Sequence, residues 1–317
     1  MNVSRELTWG AGVAYFRSGS RLQKILFVSG TVLFFSMVVH LVALAASGGP
    51  LSGPVSFRKP ATFSETGWLL CWSVGWLLPL LNLRAWERVV VATGALVFGL
   101  GESIVAVIQA WRGVPFHYNT TSAFNTGIFT LSGLEALVFF VSLVVLLFAS
   151  LRPQRLAPSL LLSVRTGVVM VIFGTLTGWL MIFNWSGVWQ GALGMLEPGF
   201  DTDAANYSVG VTGGNLIVLH AIGVHGLSLV PLAAWLLTFS TLSERARTWL
   251  TAGVAGSIFA LLMGLAVQAS RALPLSALAL PTTALLAASI FALVALYLHV
   301  GRAALRGLGA SATSYRR

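Results

Sequence analysis

The sequence predicts an all-α fold: a polytopic transmembrane helix bundle of about eight spanning helices, in one integral membrane domain over residues 1–317. Three observations predict it. Of the 317 residues, 56% are hydrophobic and 9% charged, with a mean hydropathy of +0.86, whereas soluble domains carry roughly 25% charged residues. Eight runs approach the roughly 20 mostly apolar residues that a helix needs to cross hydrocarbon. Lys and Arg, finally, concentrate in alternate connections between those runs, as membrane orientation requires.

The runs are 24–47, 66–84, 88–111, 126–150, 165–184, 213–238, 248–270 and 280–303. The first ends in "ALAAS", whose small residues resemble a cleavage site, but its apolar part exceeds the 7–15 residues of a signal peptide. It is therefore expected to stay as a helix. The second follows the Gly- and Pro-rich segment "SGGPLSGPVSFRKP" at 47–60, and the third contains "TGALVFGLG" at 93–101. The sixth, "NLIVLHAIGVHGLSLVPLAAW", carries Pro231, a candidate kink. In the seventh, "TAGVAGSIFALLMG" at 251–264 repeats small residues of the kind that let helix backbones approach closely. Neither glycine-rich stretch has the strand, turn and helix of a phosphate loop.

An even number of crossings puts both termini on one side. With the N-terminus cytoplasmic, 15 Lys and Arg lie inside and 4 outside, the four being Arg58, Lys59, Arg112 and Arg271. The net charge of +10 thus reads as topology and not as a nucleic-acid surface. The single cysteine, Cys71, allows neither an intrachain disulfide nor a cysteine metal cluster. The longest polar connection, 185–212, is rich in Trp and Gly at its start and is expected outside, as an interfacial cap or as an ordered loop with aromatic anchors. Its "DTD" at 201–203 resembles a divalent-cation site of a polyprenyl-linked transferase only weakly, because the larger outer domain expected of such an enzyme is missing.

Ionisable groups within the hydrocarbon are costly, so each invites a functional or a paired structural explanation. At 1.5 Å per residue, His40 and His220 lie about 10 Å, and Glu102 and Glu135 about 13 Å, below the outer helix ends. One layer holds all four. His225 points about 140° away from His220 on a continuous helix and is expected to pack elsewhere, while His299 beside Arg302 reads as interfacial. The connection "RGVPFHYNTT" at 112–121 joins the two glutamate helices. We therefore expect an outward-facing pocket whose floor is His40, Glu102, Glu135 and His220, and whose rim is Arg58, Lys59, Arg112 and His117. Each group also has a plain structural reading: a histidine bonded to a nearby carbonyl, a protonated glutamate bonded to a neighbouring helix, basic residues against lipid headgroups.

"GGPLSGPVSFRKPATF" at 48–63, "QAWRGVPFHYNTTSAFN" at 109–125 and "LHAIGVHGLSLVPLAAWLL" at 219–237 together resemble an uncharacterised family of bacterial multi-helix inner-membrane proteins. That resemblance implies an inner-membrane location in a bacterium and no particular activity.

Three functions fit the expected pocket. The first is a redox protein in which His40 and His220 ligate haem b and the rim neutralises its propionates, with a quinol or another lipophilic molecule as partner. The second sets His40, His220, Glu102 and Glu135 around a non-haem metal ion, although the Glu-x-x-His pairs of di-iron bundles are missing. The third is a proton-coupled transporter in which Glu102 and Glu135 carry protons and His40 shares the relay.

Overall fold

The computed structural model describes residues 17–51, 55–183, 216–270 and 279–314. The expected cap at 185–212, with Asp201 and Asp203, lies outside the described residues, as does Arg271. All elements among the described residues are helical: α1 (Arg21–Ser47), α2 (Arg58–Leu77), α3 (Ala85–Leu96), a π-helical turn (Val97–Gly101), α4 (Glu102–Trp111), α5 (Ala123–Leu151), α6 (Pro158–Phe183), α7 (Leu216–Val224), α8 (Gly226–Thr238), α9 (Glu244–Ser270) and α10 (Leu280–Ser314).

Six of these are long and apolar enough to cross a membrane, α3 to α4 counting as one, and the bent pair α7 and α8 raises the number to seven. The chain is a multi-pass membrane protein. The second expected run, 66–84, differs from its expectation: its helix begins earlier, at Arg58, and its first eight residues hold Arg58, Lys59, Thr62, Ser64 and Glu65, which makes it too polar to count by composition.

Local chemistry explains the helix ends. Ser20 and Gln23 form a reciprocal capping box that supplies partners for the first free N–H groups of α1. Gly48 closes α1 in the left-handed conformation at φ 56°, open to glycine without steric cost. Ser122 caps α5 by accepting from the Asn125 N–H at 3.2 Å.

Contacts along α1 and α2 define an antiparallel pair. Gln23 Nε2 donates to Gly75 O at 3.2 Å, Trp72 Nε1 to Phe27 O at 3.2 Å, and the Ser36 and Ser64 hydroxyls meet at 2.9 Å. α2 then runs antiparallel to the next pass: Cys71 lies against Ala95 O, Gly67 against Gly99, and Ser103 Oγ donates to Phe63 O at 3.0 Å.

Two apolar clusters share α6. Val164, Val168 and Val171, on one face by their spacing of four and three, join the core built from α1, α2, α3 and α5. Met170 belongs to the second core, with Leu219, Val230, Ile258 and Leu262. The large apolar residues Phe35 and Val42 on α1 and Phe291 on α10 are exposed, as expected of surfaces that meet lipid.

The seam between α6 and the bent pair is made of backbone. Gly167 abuts Gly226, Gly174 abuts Gly223, and Gly178 abuts the His220 ring. The bend of 43° falls at His225, between these glycine contacts and upstream of Pro231. It lets the chain follow α6 on both sides of the break.

Polar ties gather the connections at two ends. At one end Arg152 meets Glu87 at 2.5 Å, Asn82 N–H donates to Gln154 at 2.7 Å, and Ser159 N–H donates to Glu244 at 2.8 Å. Together they link the connections 77–85, 151–158 and 238–244. At the other end Trp111 packs on Phe57 and bonds His40, and Phe63 packs on His117. The connections 77–85, 151–158 and 238–244 thus group at one end, and the segments around Phe57 and His117 at the other.

Candidate functional site

A cavity of about 190 Å³ opens between α2, the π-helical turn, α5, α6 and α7, under the 112–122 connection. Its lining includes the side chains of Arg58, Lys59, Glu102, His117, His220 and His225, with hydroxyls from Thr62, Thr66, Tyr118, Ser132 and Thr175. Phe63, Phe98, Phe129 and Trp179 supply flat apolar walls.

Glu102 is placed by the π-helical turn that precedes it. Such turns insert one residue into an α-helix and often mark functional positions; here the turn brings Gly99 against Gly67 and lays Gly101 on the Glu135 carboxylate. Glu102 is buried, and Ser132 Oγ donates to its Oε1 at 2.7 Å. Its Oε2 has no partner among the described residues. A buried carboxyl with one oxygen bonded and the other left over is a group that a proton or a ligand completes.

His220 enters from α7. Its Nδ1 lies 2.7 Å from Gly174 O, and a carbonyl only accepts, so Nδ1 carries the hydrogen. The ring is half-buried, with its open part on the cavity. His225 also faces the cavity, and its Nε2 lies 3.9 Å from Glu65 Oε2. The expected 140° separation from His220 assumed an unbroken helix; the bend at His225 brings both rings to one space.

The 112–122 connection is held by amide chemistry. Arg112 Nη1 bonds Gln109 Oε1 and, at 2.8 Å, Asn125 Oδ1; Asn125 Nδ2 reaches Thr121 Oγ1 at 2.9 Å, and Asn119 Nδ2 donates to Pro115 O at 3.0 Å. Phe116 is buried beneath, with Lys59 Nζ 5.9 Å from its ring centre. Tyr118 adopts φ 56°, uncommon for a bulky side chain and a signature of local strain. The effect is to press His117 and Tyr118 onto the cavity.

Burial pushes the His117 pKa well below its ordinary 6.5, with the Lys59 charge and His220 adding to the effect. A histidine kept neutral in the fold takes a proton when unfolded, so its stabilisation is present above about pH 6.5 and is lost as pH falls below it. Melting temperature in detergent should therefore be flat above neutrality and drop between about pH 6.5 and 5. A His117→Gln variant should drop less over that range; an identical pH profile in the variant would refute this role.

Three sequence-predicted residues are placed elsewhere. His40 is buried outside the cavity lining, and both ring nitrogens are engaged: Nδ1 donates to Ser36 O at 2.7 Å, and Nε2 accepts from Trp111 Nε1 at 3.1 Å. Arg112 belongs to the amide network and lies against the Phe124 ring at 4.6 Å. Glu135 is buried behind the cavity wall against Gly101, and its Oε2 has no partner among the described residues. His299 is exposed on α10.

Among the described residues, no group of three or more His, Cys, Asp and Glu side chains is arranged to hold a metal ion. The four-ligand set His40, His220, Glu102 and Glu135 is not assembled. The haem pair also does not fit, because His40 has no nitrogen left to offer and does not face the space into which His220 points. The cavity size agrees, since a cavity of about 150 Å³ is filled by a single benzene ring.

Sequence reasoning missed Ser132 and the π-helical turn. Ser132 stands three residues before Glu135 on the same helix face, a spacing that signals a shared neighbour. The turn has a weaker signal in the paired glycines Gly99 and Gly101. Comparison with protein-family models, with curated proteins and with solved structures finds no match to this chain.

Proposed function

We propose that this protein is a proton-coupled membrane carrier that admits a small lipophilic molecule into the cavity and exchanges a proton at Glu102. The observation that carries this reading is the Glu102 carboxyl itself, buried on the cavity wall with Ser132 on one oxygen and no partner among the described residues on the other. Carboxyl groups within the membrane are characteristic of proton pathways. The broken helix beside the cavity supports the reading, because transporter sites are commonly built at discontinuous helices. Glu135, whose carboxyl packs on Gly101 next to Glu102 in the chain, is a second group to share that proton.

We place the cavity on the outer side of a bacterial inner membrane, with both termini in the cytoplasm. Support comes from the distribution of Lys and Arg, from the sequence resemblance, and from α2, whose antiparallel contacts with α1 carry the chain from one group of connections to the other. Counted in this way α2 is an eighth crossing.

Infrared difference spectroscopy on the protein in lipid, stepped between two pH values, tests the proton exchange. A protonated-carboxyl band should respond to pH in the wild type and in Glu135→Gln, and Glu102→Gln should lose the Glu102 part of it, leaving at most the Glu135 contribution. Spectra of wild type and Glu102→Gln that superimpose would end the carrier reading.

A further inference from the structure

We propose that the cavity selects a compact aromatic molecule bearing a phenolic hydroxyl, which donates its hydrogen bond to His220 Nε2. This deepens the reading of the cavity as a ligand site and rests on it.

The fixed tautomer of His220 comes first. With Nδ1 donating to Gly174 O at 2.7 Å, the other nitrogen of the uncharged ring presents a lone pair. No described protein donor reaches it. The cavity therefore offers an acceptor at His220, and the Glu102 side chain lies on the same wall. A complementary ligand brings a donor.

Charge decides which donor. Arg58 and Lys59 line the same cavity, so an ammonium donor meets like charge there. A hydroxyl supplies the hydrogen without the charge. Shape decides the rest: Phe63, Phe98, Phe129 and Trp179 face the space, and Phe98 is itself held from behind by Phe139 at 4.5 Å and 13°. Flat walls favour stacked or edge-on aromatic contacts. At about 190 Å³ the cavity takes one substituted ring.

The test is equilibrium dialysis of three probes against lipid nanodiscs with and without the full-length protein, which subtracts partition into lipid. The probes are para-propylphenol, its methyl ether para-propylanisole, and para-propylbenzoate. The phenol should bind saturably, and the ether, which has the same shape and no donor, on the order of tenfold more weakly. A His220→Leu variant should lower phenol binding to the level of the ether, and His299→Ala, on the exposed face of α10 and outside the cavity lining, should leave it unchanged. The phenol and ether comparison uses the unaltered protein and stands even if His220→Leu does not fold.

Equal binding of phenol and ether overturns the inference, because shape alone then selects. Tightest binding of the benzoate overturns it too, since the cations then select an anionic head. Absence of saturable binding by any probe overturns the aromatic class. In each case the Glu102 carboxyl band, measured separately, reports whether the proton-exchanging site survives the loss of this ligand assignment.

Discussion

A Gly174→Leu variant is expected to lose at least about 3 kcal/mol of stability, the upper part of the range for overpacking a tight interior. A Cβ at Gly174 would stand 2.7 Å from Val224 N and 2.8 Å from the Gly223 carbonyl carbon, both backbone atoms that cannot rotate away. The leucine side chain forces α7 off α6, and with it goes the bond from His220 Nδ1 to Gly174 O. Loss of stability and loss of cavity geometry should appear together. The comparison is Gly133→Leu on α5, where a Cβ meets nothing within 4 Å; helix propensity makes that change neutral or stabilising by up to about 1 kcal/mol. Equal melting temperatures for the two variants would show that the glycine seam is not what holds the bent pair in place.

The second large effect is expected at the opposite end of the bundle. Glu87 is buried, its side chain 5% exposed, and its Oε2 takes both Arg152 Nη2 at 2.5 Å and the Arg84 N–H at 2.7 Å. Removing one partner of a buried pair costs about 3–5 kcal/mol. Arg152 is 33% exposed and Arg84 N–H remains, so Arg152→Ala should lower the melting temperature, by less than the loss of a fully buried partner would. Adding Glu87→Gln removes the stranded charge and should restore most of the loss. Thermal unfolding of the single and double variants decides the matter; equal destabilisation of both would mean that packing, and not the charge, holds α3 to α5.

How much of this was legible in the sequence follows from the dimension each signal reports. Hydropathy reports position along the membrane normal, and six of the expected runs have a helix long and apolar enough to cross; the run 213–238 is a bent pair, and 66–84 is covered only to Leu77 by α2, which starts eight residues earlier because a helix tolerates polar turns that a hydropathy count rejects. Depth also placed Glu102 and His220 in one layer, and the structure brings them to one cavity. His40 shares their depth and turns another way: Ser36, four residues earlier, and Trp111, from a neighbouring helix, claim its ring. Rotation about the helix axis is set by packing, which one sequence records only faintly. Breaks in helical phase are equally faint: the bend falls at His225, six residues before the candidate kink at Pro231, and the turn at Val97–Gly101 has only its paired glycines to mark it. The cluster of polar residues in "RGVPFHYNTT" divides accordingly. Arg112, Asn119 and Thr121 hold the connection, and His117 and Tyr118 are what it delivers.

The π-helical turn has a consequence for how this helix serves two neighbours at once. Before it, Gly94 packs on Ser142 of α5; after it, Ser103 reaches Phe63 of α2 while Glu102 meets Ser132. One additional residue advances everything downstream by about 100° of azimuth. The turn acts as a fixed phase step, separating a half-helix chosen for packing from a half-helix chosen for chemistry. Shortening the chain by one residue between Val97 and Gly101 would leave composition and hydrophobic length almost untouched, yet would swing Glu102 away from Ser132. The function proposed for this cavity thus depends on a length, counted in residues, as much as on the identity of any side chain.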